Sequence, residues 1–204
     1  DIVINAVFNS SSGRICAQTA NATYRLLGEI DEITSRFGDH EHMAKFPVYS
    51  FRYFMSKLGY SLTDRPVAPL DMKLDRGEIA EGREILTSIV KNGKPTIAIY
   101  TYATGHKMHD KHWWQNFYER LRDRFRHYNI VEILPIENIS QISFQAPAFY
   151  SKELRKIGSV IGNTDVFIGA DSGMMHLASA TTTPVVGLFK SNNMNTYLPY
   201  NTGS

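Results

Sequence analysis

The sequence has almost no cysteine, no long apolar run and almost no excess of charge of either sign. Cys16 is the single cysteine among 204 residues, which excludes an intramolecular disulfide framework and fits a reducing compartment. No apolar stretch approaches the roughly 20 residues that cross a bilayer, and no signal-peptide pattern is visible. The formal charge of +2 gives no reason to expect a nucleic-acid partner. We therefore expect a soluble globular protein.

The front of the chain carries short elements with irregular spacing. Apolar runs predict strands over residues 2–8 and 24–27, and helical spacing predicts helices over 14–20 and 47–58. Residues 28–46 show no clear period and are expected to be irregular. Because the chain opens without Met and stops without a closing helix after its last strand, we expect it to be a piece of a longer protein.

The rear of the chain alternates regularly between strand and helix patterns. Strands are predicted over 95–100, 129–134, 166–169 and 184–189, and helices over 76–90, 113–126, 151–161 (capped by Ser151) and 173–180. This alternation predicts an α/β domain with a parallel sheet. Its adjacent strands should carry Ile97, Ile133, Ile168 and Val186. A proline-containing break at 63–75 suggests two domains, 1–72 and 73–204.

Function is expected where parallel strands end, since ligands in such folds bind beyond the carboxyl ends of the strands. The strongest pattern there is residues 171–178, which read DSGMMHLA between a strand and a helix. Asp171 and Ser172 are N-cap types, and a helix N-terminus opened by Gly173 suits a phosphate. The alternative is a capped helix packed on the sheet, with His176 a hydrogen-bonded core residue. The pattern alone leaves both interpretations open.

A second polar loop, residues 102–113, follows a strand on the same edge of the sheet. Lys107 and Lys111 supply cations, and Thr104 with Gly105 could form an anion-binding turn. Three histidines beside Asp110 have the spacing H-x2-H-x2-H: His106, His109 and His112. A metal site is less favoured than a solvated charged loop, because known zinc sites prefer other spacings and usually cysteine. No metal is therefore expected.

Three further features have ordinary structural interpretations. Cys16 has no obvious base beside it, so a buried thiol is expected. The pair Trp113 and Trp114 is expected to pack a helix on the sheet. The aromatic helix around residues 49–60 is more typical of a core than of a sugar-binding platform.

Taken together, the two loops resemble the ADP-heptose:lipopolysaccharide heptosyltransferases, the family-9 glycosyltransferases of GT-B architecture. Residues 171–178 match the family segment D-[ST]-G-x-x-H-L-A, and residues 110–113 match its D-K-x-W motif. The resemblance implies a GT-B-like α/β fold. Residues 73–204 would form a Rossmann-like nucleotide-sugar-binding domain, truncated at its end, and residues 1–72 part of an acceptor-side domain.

The resemblance also implies a reaction and a set of roles. The activity would be inverting transfer of a heptose-type sugar from ADP-heptose to a lipopolysaccharide core or related glycan, without a metal or other cofactor. Asp171 would bind sugar hydroxyls, Ser172 and Gly173 would offer backbone N–H groups to the diphosphate, and His176 would contact the same group. Lys111 would neutralise the leaving phosphate. The partners would be a nucleotide-sugar donor and a lipid-linked glycan acceptor, in the cytoplasm with peripheral contact to the inner membrane.

The chain departs from the family pattern in several places. Trp114 stands where the family often has proline, and residues 101–110 lack the usual pair of hydroxyls before the lysine. Residues 136–150 lack the typical glycine and acidic pattern, with Glu137 only a poor match. The family's general base, an aspartate near the start of its N-terminal domain, would lie in a segment absent from this chain. The alternatives are a non-catalytic nucleotide-sugar-binding module and another GT-B-shaped enzyme such as an epimerase.

Overall fold

The computed structural model describes residues 1–7, 10–28, 30–62, 65–190 and 194–201, and the chain divides into two compact units. The first comprises Asp1–Ala68 with Asn193–Leu198, and the second comprises Pro69–Asn192 with Pro199–Ser204. The division after Ala68 lies slightly before the boundary expected after residue 72. The return of a late segment to the first unit has no signal in the local sequence pattern.

The first unit is a small α/β arrangement built on two parallel strands. Its elements are β1 (Ile2–Ile4), α1 (Ser11–Thr19), β2 (Tyr24–Leu26), α2 (Ile30–Thr34), α3 (Phe46–Lys57) and, from the late segment, α8 (Met194–Tyr197). β1 pairs with β2 in parallel. Buried apolar side chains of α1, β2, α2 and α3 form most of its core, and Val67 adds to them: Ala17, Leu26, Ile33, Phe46, Tyr49, Tyr53 and Val67.

Three expectations for this unit are wrong. The strand expected over 2–8 ends at Ile4, because buried Asn5 turns the chain by donating its Nδ2 to the Leu27 carbonyl and accepting from the Val7 N–H. Phe8 lies outside the described residues. The segment 28–46 contains helix α2, too short to show a period. Cys16 is exposed on α1 rather than buried.

The second unit is a five-stranded sheet flanked by helices. Its elements are α4 (Arg76–Val90), β3 (Thr96–Tyr100), a 3-10 turn (Gly105–Lys107), α5 (Lys111–Arg124), β4 (Asn129–Ile133), β5 (Ala148–Phe149), α6 (Leu154–Ile161), β6 (Val166–Ala170), α7 (Gly173–Ser179) and β7 (Val185–Leu188). The strand order is β5-β4-β3-β6-β7, and every pairing is parallel. The predicted parallel sheet carrying Ile97, Ile133, Ile168 and Val186 on neighbouring strands is confirmed.

Successive strand residues face opposite sides of the sheet, so each strand contributes to two cores. On one side α4, α6 and α7 cover a core that includes Leu86, Ala98, Val131, Ile157, Val160, Phe167 and Met175. On the other side α5 covers a core that includes Ile97, Ile99, Trp114, Tyr118, Leu121, Ile130 and Ile168. Trp114 is fully buried, which confirms its expected helix-to-sheet packing, whereas Trp113 is 36% exposed.

Side-chain caps fix where the helices of this unit begin. Asp75 and Glu78 form a reciprocal capping box at α4, and Asp110 accepts the Trp113 N–H at 2.8 Å to cap α5. The expectation that Ser151 caps α6 is wrong. The helix begins at Leu154 with Glu153 at the N-cap, and the Ser151 hydroxyl instead accepts the Glu153 N–H in the preceding turn. Strand β5 has only two residues and therefore showed no recognisable pattern.

Close packing of α4 on α6 depends on Gly82, and Gly82→Ala is predicted to destabilise the protein. A Cβ at this position would lie 2.4 Å from the backbone carbon and oxygen of Ser159, which cannot yield without moving α6. Because the contact is with backbone atoms, overpacking should cost about 3 kcal/mol, the upper end of the usual range, against a gain of about 1 kcal/mol from alanine in a helix, so the free energy of unfolding should fall by about 2 kcal/mol.

Urea unfolding measures this loss, with Gly77→Ala in the first turn of the same helix as the control. A Cβ at Gly77 would meet only the carboxylate end of the Asp75 side chain, at 3.2 Å. The control should therefore be neutral or stabilising by up to about 1 kcal/mol. Equal stability of the two variants would contradict the close contact between α4 and α6.

Candidate functional site

The strand order creates a crevice at the carboxyl edge of the sheet. From β3 the chain continues to β4 on one side, whereas β6 continues to β7 on the other side. The loops that follow β3 and β6 therefore leave neighbouring strands in opposite directions. This reversal is the topological switch point at which doubly wound sheets bind their ligands. The two polar loops singled out from the sequence are the loops that lie here.

An ion pair joins these two loops. Lys107, on the 3-10 turn after β3, places its Nζ 2.8 Å from Oδ2 of Asp171, the residue that follows β6. The Asp171 side chain is 3% exposed and the Lys107 side chain 26% exposed. A carboxylate this deeply buried requires a cation, because an unpaired buried charge is strongly unfavourable. Lys107 provides that cation from the rim of the crevice.

The pair leaves hydrogen-bonding capacity on Asp171 unused. Although Nζ lies at ion-pair distance from Oδ2, that oxygen is buried and accepts no properly oriented hydrogen bond from the described part of the chain. The 2.8 Å separation shows that Lys107 and Asp171 attract each other as charges, but the Lys107 ammonium is not oriented to donate a hydrogen bond to Oδ2. Most buried acceptors in folded proteins have a donor. Because a carboxylate offers about four acceptor sites, Asp171 keeps acceptor capacity beyond its contact with Lys107.

Asp171 and Ser172 have different roles, although both are N-cap types. Ser172 is the N-cap of α7, and its Oγ accepts the Met175 N–H at 3.4 Å. Asp171 lies one residue before the cap, so its carboxylate is not needed to begin the helix. Gly173 is exposed, with open space where a Cβ would stand, and His176 is partly buried one turn further along α7.

Lys190, just beyond β7, connects a third loop to the same edge. Its Nζ donates to the Met108 carbonyl at 3.1 Å, directly after the 3-10 turn that carries Lys107. That turn begins at Gly105, whose φ of 61° lies in the left-handed region that favours glycine. Lys111 is exposed at the first residue of α5 and forms no ion pair with any residue that the structure describes. That Lys111, Asp171 and His176 line one cleft stays a prediction.

The three histidines of this loop do not converge on a metal-binding geometry. The His109 ring stacks on Trp113 with 4.0 Å between ring centroids, and the His112 ring lies 3.1 Å from the Asn116 amide. Across the described ranges, no three histidine, cysteine, aspartate or glutamate side chains are grouped to hold an ion. Burial, aided by the charge of Lys190, lowers the pKa of His109. Its neutral ring therefore serves as a packing surface for the tryptophan.

A second buried carboxylate, Glu132 near the end of β4, holds two loops at the same edge. It is fully buried and accepts hydrogen bonds of 2.6 Å from the hydroxyls of Thr101, after β3, and Ser140, after β4. Ser140 in turn accepts the N–H groups of Ile142 and Phe144. Burial raises the pKa of Glu132 despite these two donors. Glu132 thus anchors the loops through side-chain hydroxyls.

Two surface cavities lie elsewhere on this unit. One of about 300 Å³ is lined by Trp113, Asn116, Phe117 and Arg120 on α5. Another of about 380 Å³ lies at the amino edge of the sheet, between residues of α4 and the segments before β3 and β6. Neither includes Asp171 or Lys107. The chemistry of the side chains, rather than cavity size, therefore identifies the candidate site.

The arrangement of β3, β6 and their loops is that of Rossmann-like domains, which have a ligand crevice at the switch point. Comparisons with known proteins indicate which family of proteins the chain resembles. The family model described as glycosyltransferase family 9 (heptosyltransferase) matches residues 151–203. This segment contains β6, Asp171 and α7. The resemblance to family-9 glycosyltransferases stated from the sequence is thus confirmed. Among curated protein sequences no significant match is found.

Solved structures that share this fold include glycosyltransferases. The E. coli ADP-heptose lps heptosyltransferase II matches at 16% identity and a TM-score of 0.54, over 72% of this chain and 50% of its own. The family-9 glycosyl transferase from Veillonella parvula DSM 2008 matches at 20% identity and a TM-score of 0.56, over 74% of this chain and 46% of its own. E. coli heptosyltransferase WaaC with ADP matches at 14% identity and a TM-score of 0.52, over 76% of this chain and 48% of its own. The GT-B-like fold class is confirmed, and the chain spans about half the length of these structures.

The sequence pattern located the two loops but not the contacts between them. Lys107 was one of two candidate cations, and the D-K-x-W motif favoured Lys111, whereas the structure pairs Lys107 with Asp171. Glu132 and Lys190 were not singled out. Glu132 did carry a signal, as a lone acid inside the apolar strand Ile130–Ile133. No local signal marks Lys190, because its contact with Met108 spans 82 positions.

The buried carboxylate of Glu132 gives the protein a pH-dependent stability with a defined sign. Because its pKa is raised above the ordinary value of 4.5, the folded state binds more protons than the unfolded state just above that pH. Its contribution is therefore fully present below about pH 4.5 and is lost as the pH rises through the folded-state pKa. Glu132→Gln should remove this contribution.

Urea unfolding between pH 4 and pH 8 tests the Glu132 prediction. The difference in unfolding free energy between the wild type and Glu132→Gln should shift in favour of the variant as the pH rises. Glu119→Gln, which changes an exposed carboxylate on α5, is the control against which the pH dependence of Glu132→Gln is compared. A difference for Glu132→Gln that stays constant with pH would mean that its carboxyl titrates alike in both states.

Proposed function

We propose that the full-length protein is a glycosyltransferase that moves a heptose-type sugar from ADP-heptose to a lipopolysaccharide core or related glycan acceptor, with inversion. The observation that carries this proposal is the position of Asp171. It lies in the segment that matches family 9, at the switch point of the sheet, and its buried Oδ2 lies beside the Lys107 ammonium but accepts no well-oriented hydrogen bond from the described residues. Sugar hydroxyls are the donors that such an oxygen would accept.

The donor diphosphate would lie against the cations and N–H groups around this carboxylate. Lys111 at the start of α5 would stabilise the negative charge that grows on the leaving phosphate. Ser172 and Gly173 would offer backbone N–H groups, and His176 would orient the same group. Stabilisation of a charge that develops only in the transition state raises kcat rather than affinity. No metal is required by this arrangement, since lysine supplies the positive charge.

The acceptor would be a lipid-linked glycan, which places the protein in the cytoplasm at the inner face of the membrane. In the described part of the chain, no helix is both long enough and apolar enough to cross a bilayer. Peripheral contact is supported by exposed arginines near the end of α5: Arg120, Arg122, Arg124 and Arg126. Basic side chains near an anionic surface each contribute about 1 kcal/mol to binding.

Nucleotide binding is the first test of this function. Isothermal titration of the 204-residue chain with ADP should give saturable binding, with UDP at least about tenfold weaker, a difference of about 1.4 kcal/mol. Asp171→Asn should lower the affinity for the nucleotide sugar, because the amide replaces the charged acceptor. Equal binding of ADP and UDP would contradict the adenine donor, and no binding of either would contradict the donor site.

Turnover separates an enzyme from a non-catalytic binding module. In the full-length protein Lys111→Ala should lower kcat about a hundredfold, equivalent to about 3 kcal/mol, because a charge contact in the transition state is lost. Its melting temperature should change little, since an exposed side chain contributes less than about 0.5 kcal/mol to stability. Lys91→Ala, an exposed lysine at the end of α4, is the control. Nucleotide binding without any turnover would favour the module.

A further inference from the structure

The ion pair between Lys107 and Asp171 occupies the carboxylate that the proposed function assigns to the sugar. The contact is 2.8 Å long, and it joins a side chain that is almost fully buried to one that reaches the rim of the crevice. A permanent pair would leave the sugar hydroxyls to compete with an ammonium group. The free protein therefore holds its own cation where the donor is expected to bind.

Two features indicate that this pair can open. The Asp171 Oδ2 atom accepts no hydrogen bond from Lys107 or any other described residue, so the carboxylate is neutralised without being fully satisfied. Lys107 belongs to a three-residue 3-10 turn that begins at Gly105. Its ammonium sits at the end of a flexible four-carbon stem. A small rotation of that stem redirects the charge without moving the strands.

We propose that Lys107 exchanges partners when the donor binds. This inference rests on the proposed function. In the free protein Lys107 neutralises Asp171. With a nucleotide-diphosphate sugar bound, its ammonium turns to the diphosphate, and the Asp171 carboxylate accepts hydroxyls of the sugar. Lys107 is then a second diphosphate-binding cation beside Lys111, and the exchange favours donors that carry both a diphosphate and a sugar.

The exchange has a consequence that a fixed structural pair does not share. ADP alone offers a diphosphate to Lys107 but no sugar hydroxyls to Asp171, whereas the complete nucleotide sugar offers a partner to both side chains. Asp171→Asn releases Lys107 from its competing partner. That substitution should therefore strengthen binding of ADP while it weakens binding of the nucleotide sugar. Opposite signs for the two ligands are the signature of partner exchange.

Titration of ADP into four forms of the 204-residue chain tests this inference: the wild type, Asp171→Asn, Lys107→Met and the double variant. Asp171→Asn should bind ADP more tightly, by about threefold to tenfold, because Lys107 no longer has to leave a competing carboxylate when ADP binds. In the Asp171→Asn background, Lys107→Met should weaken ADP binding by about tenfold or more. Lys107→Met alone leaves the buried Asp171 carboxylate unpaired and can therefore fail to fold. The double variant removes both charges and keeps the comparison possible in that case.

The decisive comparison is the effect of Lys107→Met when Asp171 is already asparagine. If Lys107 serves only to neutralise Asp171, the substitution has no effect in that background, and the inference is overturned. Unchanged or weaker binding of ADP by Asp171→Asn overturns it as well. Lys94→Met, an exposed lysine before β3 at the opposite edge of the sheet, is the control and should change ADP affinity less than twofold.

Failure of the proposed function gives a different result. If the wild-type chain binds neither ADP nor UDP, the donor site itself is contradicted, and the exchange fails with it. If the wild type binds ADP and the double variant binds it as tightly as Asp171→Asn, the donor site stands and only the role of Lys107 is rejected.

Discussion

The parallel pairing of β3 with β6 is the constraint that places every candidate residue of the site. These strands are far apart in sequence, yet their pairing brings Tyr100 opposite Gly169 and opens the loops that follow on one edge. Because the chain leaves the pair in opposite directions, the loops that follow β3 and β6 diverge at this edge. Lys107 and Asp171 meet in that space only because both strands end together.

Burial at this edge decides the electrostatics of the site. Asp171 and Glu132 are both buried carboxylates, but they are stabilised differently: the first by an ammonium group, the second by two hydroxyls. Glu132 is fully buried and holds its two loops through these hydrogen bonds. Asp171 keeps an oxygen that lies beside the Lys107 ammonium but accepts no well-oriented hydrogen bond from the described residues. Tyr100, at the end of β3, adds no charge to this edge, because burial and nearby Glu137 raise its pKa to about 12 and keep its hydroxyl neutral.

The sequence predicted the second unit well because its strands are continuous apolar runs, the pattern of a sheet buried on both faces. Residues Thr96–Tyr100 are buried throughout, and the alternation of strand and helix left little freedom in topology. Elements shorter than one period, such as α2 and β5, were not predictable. Which of the two lysines pairs with Asp171 was not predictable either. The observed pair, Lys107 and Asp171, spans 64 positions, and no local pattern encodes such a contact.

The most direct test of the account is amide hydrogen–deuterium exchange of the 204-residue chain with and without ADP. A donor site at the switch point predicts slower exchange in the bound state for peptides that cover residues 101–110 and 171–178. Peptides from the amino edge of the sheet, such as residues 91–95 and 162–165, should exchange at unchanged rates. Protection at the amino edge, or none at 101–110 and 171–178 with ADP in saturating excess, would contradict a donor site at the switch point.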